Sequence, residues 1–317
     1  MIMHCPFGAL NNHFIKFEVS YMKQKFDYIT RRYLKLLPTI INRDEINNFV
    51  KAEDELDTIG TPENGSHKLT VVKDRTKGHE YVQKQTRNQT ETEKEFMMAG
   101  FLNKVDPNHP KCKLVESKDG SVHILSRKHE KVQDVEQFVR AGRTHELFEK
   151  EVIGLEDTLI ADNILGKQSD TKLANMLVKD EGDRLIFSNI DHERANLPRN
   201  SFFNTGQRRY PTSGQELVGG IYDLYEPSDE NRSGLAGDIR AKEFGEAAVK
   251  LIKTEKIKSA YEKFAKASID TLHDKCRFLS QNSTLFGGRN DCNAYLEYFN
   301  EIKKEAAETV SKFDCKK

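Results

Sequence analysis

The fold is decided by residues 169–178, which read Ser-Asp-Thr-Lys-Leu-Ala-Asn-Met-Leu-Val. Asp170 and Asn175 stand five residues apart in this stretch, and Asn175 leads directly into an apolar strand at residues 176–178. Taken singly, each polar residue is typical of a turn. Together with the residues that follow, they predict a polar loop that carries chemistry.

The next residues predict a hairpin. Residues 180–183 are a turn, residues 185–187 return as an apolar strand, and Asp191 comes shortly after them. The hairpin brings Asn175 and Asp191 to the same end of a sheet. Amide and carboxylate oxygens suit Mg²⁺, which is a hard cation. We therefore predict that these two residues hold a divalent metal.

Phosphoryl transfer explains the arrangement, because an enzyme of this class mainly positions its substrates and neutralises phosphate charge. Asp170, on the loop before the hairpin, can face the hydroxyl of an acceptor. Lys172 lies two residues further on and can reach the γ-phosphate of ATP.

Residues 169–178 resemble the catalytic loop of the protein kinase superfamily, D-x-K-x-x-N followed by a short apolar strand. Residues 190–193 resemble the metal-binding D-F-G motif, with His-Glu in place of Phe-Gly. The resemblance implies that Asp170 is the catalytic base and that Lys172 contacts phosphate. It also implies that Asn175 and Asp191 are the ligands of Mg²⁺ or Mn²⁺.

The upstream residues fit the same family. Residues 81–84 resemble the strand whose lysine contacts the α- and β-phosphates of ATP, so Lys84 is the candidate for that lysine. The helix predicted at residues 90–104 should supply its glutamate partner. Glu95 is the first choice, and Glu91 and Glu93 are alternatives.

Gly60 and Gly65 occupy the place of the phosphate-covering loop, and we interpret both as nucleotide-binding residues. Three features depart from the family pattern. The stretch between these glycines does not match G-x-G-x-x-G, Ser169 replaces the usual His-Arg lead-in, and no A-P-E follows residue 195.

The chain as a whole predicts an α+β fold. Hairpin, helix and hairpin follow one another over residues 69–125, and the sequence is mainly helical from His145 onward. The resemblance implies a bilobal protein-kinase-like fold with an antiparallel-sheet N-lobe and a divergent, mainly helical C-lobe. We expect a helical extension at 1–57, the N-lobe at 58–128 and the C-lobe at 129–317.

Four further helical segments, besides the helix at residues 90–104, are predicted by their spacing. One is a short helix at residues 43–56, and the last is a helix at residues 293–313. Two apolar stripes lie between them: Phe148, Val152, Leu155 and Leu159, then Ile257, Tyr261, Phe264, Ser268 and Leu272.

Three functions remain open. The first is an ATP-dependent protein kinase that phosphorylates Ser or Thr. The second is a phosphoinositide or small-molecule kinase, because the hairpin also resembles N-I-x-V…G…I-D-F-G. Those enzymes usually carry His where this chain has Lys172, which favours the protein kinase. The third is a pseudokinase, or a kinase fold that transfers AMP.

The layout is similar to the atypical kinases that intracellular pathogens secrete, especially Legionella effectors, one of which is activated by inositol hexakisphosphate. The resemblance implies this activator, or a phosphoinositide, as a partner beside a protein substrate. Its binding site would use Arg208 and Arg209 or a run of lysines, although such runs are usually solvated helix faces. The lysines are Lys250, Lys253, Lys256, Lys258, Lys263 and Lys266.

Composition limits the other classes. Fifty basic and fifty acidic residues give zero net charge, which disfavours a nucleic-acid binder. No apolar run reaches the roughly 20 residues that a membrane span needs. Five scattered cysteines indicate reduced thiols. We expect a cytosolic protein or, for a secreted effector, one in the host cytoplasm or peripheral at a host membrane.

Overall fold

Antiparallel hairpins organise the first part of the chain, as its turn signals predict. The structure, a computed structural model, describes residues 49–61, 68–165, 173–192, 208–222, 239–281 and 292–315. Six strands in these ranges form one sheet: β1 (Val50–Ala52), β2 (Leu56–Gly60), β3 (Lys68–Asp74), β4 (Glu80–Gln85), β5 (Cys112–Glu116) and β6 (Val122–Arg127). Their order is β1-β5-β6-β4-β3-β2, and only β1 and β5 pair in parallel.

One long helix packs on this sheet. Helix α1 spans Gln89–Val105 and is capped by Asn88, whose side chain accepts the Glu91 N–H at 3.0 Å. The predicted helix at residues 90–104 is therefore confirmed. Phe96 and Phe101 of α1 are fully buried, because they lie between the sheet and the helices that follow.

The helix predicted at residues 43–56 is wrong over its described part. Val50–Ala52 and Leu56–Gly60 are strands, and Glu53–Glu55 is a single 3₁₀ turn. Strand β1 pairs with β5, which is distant in sequence, so local periodicity does not reveal it. Residues 1–48 lie outside the described ranges, and the domain boundaries stay predictions.

A second sheet contains the predicted hairpin. Its strands are β7 (Val132–Asp134), β8 (Glu151–Ile153), β9 (Met176–Asp180) and β10 (Arg184–Asn189), in the order β7-β9-β10-β8. The antiparallel pairing of β9 with β10 confirms the hairpin. Its turn uses Gly182 at φ 90°, a left-handed conformation that glycine adopts at little cost.

Helices make up most of the remainder of the described chain. They are α2 (Val135–Arg140), α3 (Glu146–Glu149), α4 (Leu155–Ile164), α5 (Gly214–Tyr222), α6 (Ile239–Leu251), α7 (Thr254–Lys266), α8 (Asp270–Gln281) and α9 (Cys292–Asp314). The α+β class is therefore confirmed, with a sheet-rich first part and a mainly helical second part. No helix within the described ranges is long and apolar enough to cross a bilayer.

Both predicted apolar stripes are interrupted. Phe148 is 57 % exposed and Val152 lies in β8, so the first stripe becomes regular helix only in α4. Ser268 lies in the break between α7 and α8. The predicted C-terminal helix is confirmed as α9.

The C-terminal helices pack against α1. The ring of Phe101 stacks on Phe299 of α9 at 4.4 Å between centroids, and it lies 6.0 Å from Phe264 of α7. Because α1 also carries Glu95, this packing relates the helical part of the chain to the predicted site.

Candidate active site

The β9–β10 hairpin brings Asn175 and Asp191 to one end of the second sheet. Met176 pairs with Asn189, and the carbonyl of Asn175 accepts the N–H of Ile190 at 2.9 Å. Asn175 lies in a 3₁₀ turn just before β9 and is 8 % exposed. Asp191 directly follows Ile190, so the two predicted metal ligands share an edge of the sheet.

A lysine of the first sheet reaches this edge. Lys84 lies on β4, opposite Leu69 of β3 and Ile124 of β6. Its Nζ is 2.8 Å from Oδ1 of Asp191. The two side chains are 12 % and 21 % exposed, so both charges are largely withdrawn from water. The ion pair therefore joins the two sheets at the predicted site.

The backbone of Asp191 is unusual. Its φ is 64°, in the left-handed region that costs a non-glycine residue roughly 1–2 kcal/mol. Such conformations persist only where surrounding contacts fix them, and they cluster at functional sites. The ion pair with Lys84 and the hairpin geometry supply those contacts.

Glu95 is the glutamate of α1 that reaches the same place. Its carboxylate accepts the backbone N–H of His192, the residue after Asp191, and its side chain is buried. Glu91, an alternative candidate, instead accepts the N–H of Arg87 at 2.9 Å and caps the start of the helix. The helix thus separates a capping glutamate from one that faces the site.

A neighbouring thiol reports the charges around Glu95. Burial, and to a smaller extent the charge of Glu95, raise the pKa of Cys112 to about 11. The ammonium groups of Lys275 and Lys84 act in the opposite direction on the same thiol. Glu95, Lys84 and Lys275 therefore all lie within electrostatic reach of the Cys112 thiol on β5.

Sequence reasoning missed two histidines. His192 is fully buried, and its Nε2 lies 2.8 Å from Nε2 of His109. Nδ1 of His109 lies 3.0 Å from the carbonyl oxygen of Pro110. The available signal was the position of His192 directly after Asp191, where the resemblance has phenylalanine.

The donors at the hairpin end fit a hard divalent cation. Asn175 supplies an amide oxygen and Asp191 a carboxylate, which is the oxygen chemistry that Mg²⁺ and Mn²⁺ accept. No cluster of three or more His, Cys, Asp or Glu with metal-binding geometry occurs within the described residues. A metal here would therefore complete its coordination with other oxygen ligands, such as phosphate and water.

For four of the predicted site residues the structure does not test the predicted role. Asp170, Lys172 and Gly65 lie outside the described residues. Gly60 is the last residue of β2, and a Cβ there would meet nothing within 4 Å. Its assigned role in nucleotide binding stays a prediction.

The predicted basic residues mostly hold acidic partners. Arg208 bridges Glu301 and Glu305 of α9. On α7 the lysines pair with acidic residues, in the pairs Lys256–Glu156, Lys258–Asp314, Lys263–Asp157 and Lys266–Glu262. The acidic residues therefore balance the charge of these lysines, and two of them, Glu156 and Asp157, are buried carboxylates of α4.

No protein-family model and no curated relative matches the sequence. Among solved structures, the chain is similar to the crystal structure of the Helicobacter pylori proinflammatory kinase CtkA, with 10 % identity and a TM-score of 0.41. The similarity covers 81 % of this chain and 92 % of that chain. A TM-score at this level decides neither fold nor function, and the resemblance to Legionella effectors stays a prediction.

Proposed function

We propose that the chain is an ATP-dependent phosphotransferase of the protein-kinase type, acting on Ser or Thr of proteins. The observation that carries this proposal is the convergence of Lys84 and Glu95 on Asp191 and its neighbour. Protein kinases need a strand lysine, a helix glutamate and a metal-binding aspartate in place together. Here the lysine and the aspartate stand 107 residues apart in sequence and still form a shielded ion pair.

In the proposed reaction, Lys84 binds the α- and β-phosphates of ATP, and Glu95 orients the elements around it. Asn175 and Asp191 would hold Mg²⁺ or Mn²⁺, and the bound cation would neutralise phosphate charge. Gly60 and Gly65 keep their predicted role as nucleotide-binding residues.

Asp170 and Lys172 act on the transferred group. Asp170 accepts the proton of the acceptor hydroxyl while the hydroxyl oxygen forms a bond to the γ-phosphorus. The bond from the γ-phosphorus to the oxygen of the leaving ADP breaks. Lys172 contacts the γ-phosphate during this transfer.

The test compares ATP labelled in the γ- and α-positions, with Mg²⁺ or Mn²⁺, on generic proteins and on phosphoinositide vesicles. Label from γ-ATP on protein is the expected result. γ-Label on lipid would indicate a phosphoinositide kinase, and α-label on protein would indicate an AMP transferase. No transfer of either label would contradict the proposal.

Variants assign the roles within this experiment. Asp191→Ala should abolish metal-dependent ATP binding, whereas Asp170→Ala should abolish transfer and spare binding. Asp183→Ala is the matched control, because Asp183 lies in the turn of the same hairpin and is 86 % exposed. Undiminished transfer by the Asp170 variant would remove that residue from the role of base.

The proposed activator, inositol hexakisphosphate, needs a basic site other than the paired lysines of α7. A cleft of about 1310 Å³ lies beside the connection from β6 to β7 and is lined from both sheets. For four of its basic residues the described part of the chain shows no ion pair: Lys73, Lys111, Arg127 and Lys131. A multiply charged anion bound here would contact both sheets at once.

Charge reversal locates this site. Lys111→Glu with Lys131→Glu should abolish activation by inositol hexakisphosphate, whereas Lys266→Glu on α7 should not. Equal ATP affinity and turnover with and without the anion would reject the activator. Loss of activation only in the Lys266 variant would move the site to α7.

A further inference from the structure

A lysine of the C-terminal helices is buried against the helix that carries Glu95. Lys275 of α8 is 5 % exposed, and its Nζ donates to the carbonyl oxygen of Phe96 at 2.7 Å. The same Nζ lies 3.6 Å from the centre of the Phe96 ring. Phe96 directly follows Glu95, so the lysine contacts the turn of α1 that faces the site.

This burial has no charge compensation among the described residues. The Cys112 thiol on β5 is neutral near pH 7, because its pKa is about 11, so the charge that acts on Lys275 is the ammonium of Lys104 on α1. Burial lowers the pKa of Lys275 to about 7, and Lys104 adds to the effect. A buried amine without a carboxylate partner is unfavourable for stability, and a well-packed apolar side chain usually replaces one without loss.

A glycine of α1 leaves room for the Lys275 side chain. Gly100 lies one turn beyond Phe96 in α1, and a Cβ at that position would stand 2.8 Å from Nζ of Lys275. Glycine inside a helix costs roughly 0.5–1 kcal/mol relative to alanine. Two residues that each disfavour stability therefore meet at one contact, which indicates a role other than stability.

We propose that Lys275 is a positioning residue, whose hydrogen bond to Phe96 sets the register of α1 on α8 and so places Glu95. A hydrogen bond to one carbonyl in a niche left by one glycine selects a single register, whereas apolar packing alone tolerates sliding. The link to catalysis rests on the proposed function. The placement of Glu95 does not, because its carboxylate also holds the N–H of His192.

The contact is proton-sensitive in a defined direction. When the contact opens, water restores the affinity of Lys275 for its proton. The closed contact is therefore favoured as pH rises above about 7 and disfavoured below it. Glu93, Lys94 and Glu95 are the charged residues of the adjoining helix turn, and their ionisation is common to wild type and variant.

The test measures amide hydrogen exchange of His192, whose N–H reports the position of Glu95 without nucleotide. Lys275→Met should fold normally, exchange this amide ~10-fold faster, and lose the pH dependence near 7 that wild type shows. Lys266→Met, an exposed lysine replacement on α7, is the control and should match wild type. Unchanged exchange in Lys275→Met would overturn the proposal.

A second pair of variants tests the niche. Gly100→Ala should reproduce the faster exchange of His192, because the new methyl group displaces Lys275. In a Lys275→Ala background the same substitution should have no further effect. Additive effects of the two substitutions would contradict the proposed contact.

Kinetic measurements with ATP distinguish a failure of this inference from a failure of the proposed function. With Lys275→Met, the KM for ATP should rise ~10-fold with a smaller change in kcat. A chain that transfers no phosphate would refute the proposed function, and the exchange of His192 would still decide the role of Lys275. Faster exchange with an unchanged KM for ATP would overturn the catalytic part of the inference.

Discussion

At the scale of single residues, the site depends on groups that are buried together. The rings of His109 and His192 meet through their Nε2 atoms in a position closed to water. In a neutral pair one nitrogen donates and the other accepts. Nδ1 of His109 lies 3.0 Å from the carbonyl oxygen of Pro110 and 3.2 Å from Nδ2 of Asn103, and these contacts hold the His109 ring in place whichever of the two Nε2 atoms donates. The pair thus fixes the residue that follows Asp191.

The first prediction concerns this pair. His192→Phe removes the partner of Nε2 of His109 and should lower the free energy of unfolding by about 1–3 kcal/mol. Urea unfolding measures the loss. The double variant with His109→Leu should recover part of it, because both polar atoms are then absent. His273→Phe, an exposed change on α8, should stay within about 0.5 kcal/mol of wild type.

The second prediction concerns Asp106 at the end of α1. Burial raises its pKa to about 6, and the nearby Asp157 adds to the rise. Between about pH 4 and pH 6 the folded chain therefore keeps a proton on Asp106 that the unfolded chain has released. The free energy of unfolding declines as pH rises through this range. Asp106→Asn should avoid this decline and be more stable at pH 8 by up to about 3 kcal/mol.

The measurement is urea unfolding of Asp106→Asn and wild type at pH 4 and pH 8. The two proteins should differ far more at pH 8. Asp183→Asn, in an exposed turn, is the control and should show no such pH-dependent gain. Equal gains for the Asp106 variant at both pH values would contradict the explanation by burial.

At the scale of elements, a glycine holds α4 against the second sheet. Gly154 precedes α4 at φ 77°, and a Cβ there would lie 2.7 Å from the carbonyl oxygen of Phe187 on β10. That oxygen belongs to the backbone of a paired strand, so it cannot move without disturbing the pairing of β8 with β10. The junction of β8, α4 and β10 therefore requires glycine for two reasons, the positive φ and the close approach of the Phe187 carbonyl oxygen.

The third prediction follows from that junction. Gly154→Ala should cost more than about 2 kcal/mol of unfolding free energy, from left-handed strain plus the backbone collision. Gly142→Ala is the matched control, since its φ is 72° and a Cβ there would meet nothing within 4 Å. It should cost only about 1 kcal/mol. Equal losses in chemical denaturation would show that the collision is relieved cheaply.

At the scale of the whole molecule, one ion-pair cluster joins α3, the segment before it and the second sheet. Arg143 pairs with Glu146 and Asp180, and Lys150 lies 2.8 Å from Glu146 and 3.0 Å from Asp180. The backbone N–H of Gly182 and then Lys150 hold the pKa of Asp180 at about 2. Arg143 chiefly holds the pKa of Glu146 at about 2.

The fourth prediction is acid sensitivity from this cluster. Because both pKa values are depressed, the stabilisation is present above about pH 4.5 and is lost as pH falls toward 2. Partial exposure and salt reduce it to roughly 2 kcal/mol. Thermal unfolding at pH 5, 3 and 2 should show a smaller acid loss in Asp180→Asn than in wild type. Asp183→Asn should lose as much as wild type.

Much of the site was predictable because its parts are local. The turn at residues 180–183 and the apolar residues around it specify the β9–β10 hairpin, which places Asn175 and Asp191 together. The short strands β1 and β8 escaped prediction. Each has three residues, and each takes its register from a parallel partner elsewhere in the sequence.

The sequence by itself determined the α+β class, helix α1 and the C-terminal helix. It also determined the β3–β4 hairpin, which carries Lys84, and the β9–β10 hairpin, which precedes Asp191. Turn residues and periodicity encode those features over a few positions. Only the tertiary structure decided that Lys84 meets Asp191 across 107 residues and that Glu95 meets His192 across 97. The burial of His192 and Lys275 is also seen only in the tertiary structure, because it depends on the packing of elements that are distant in sequence.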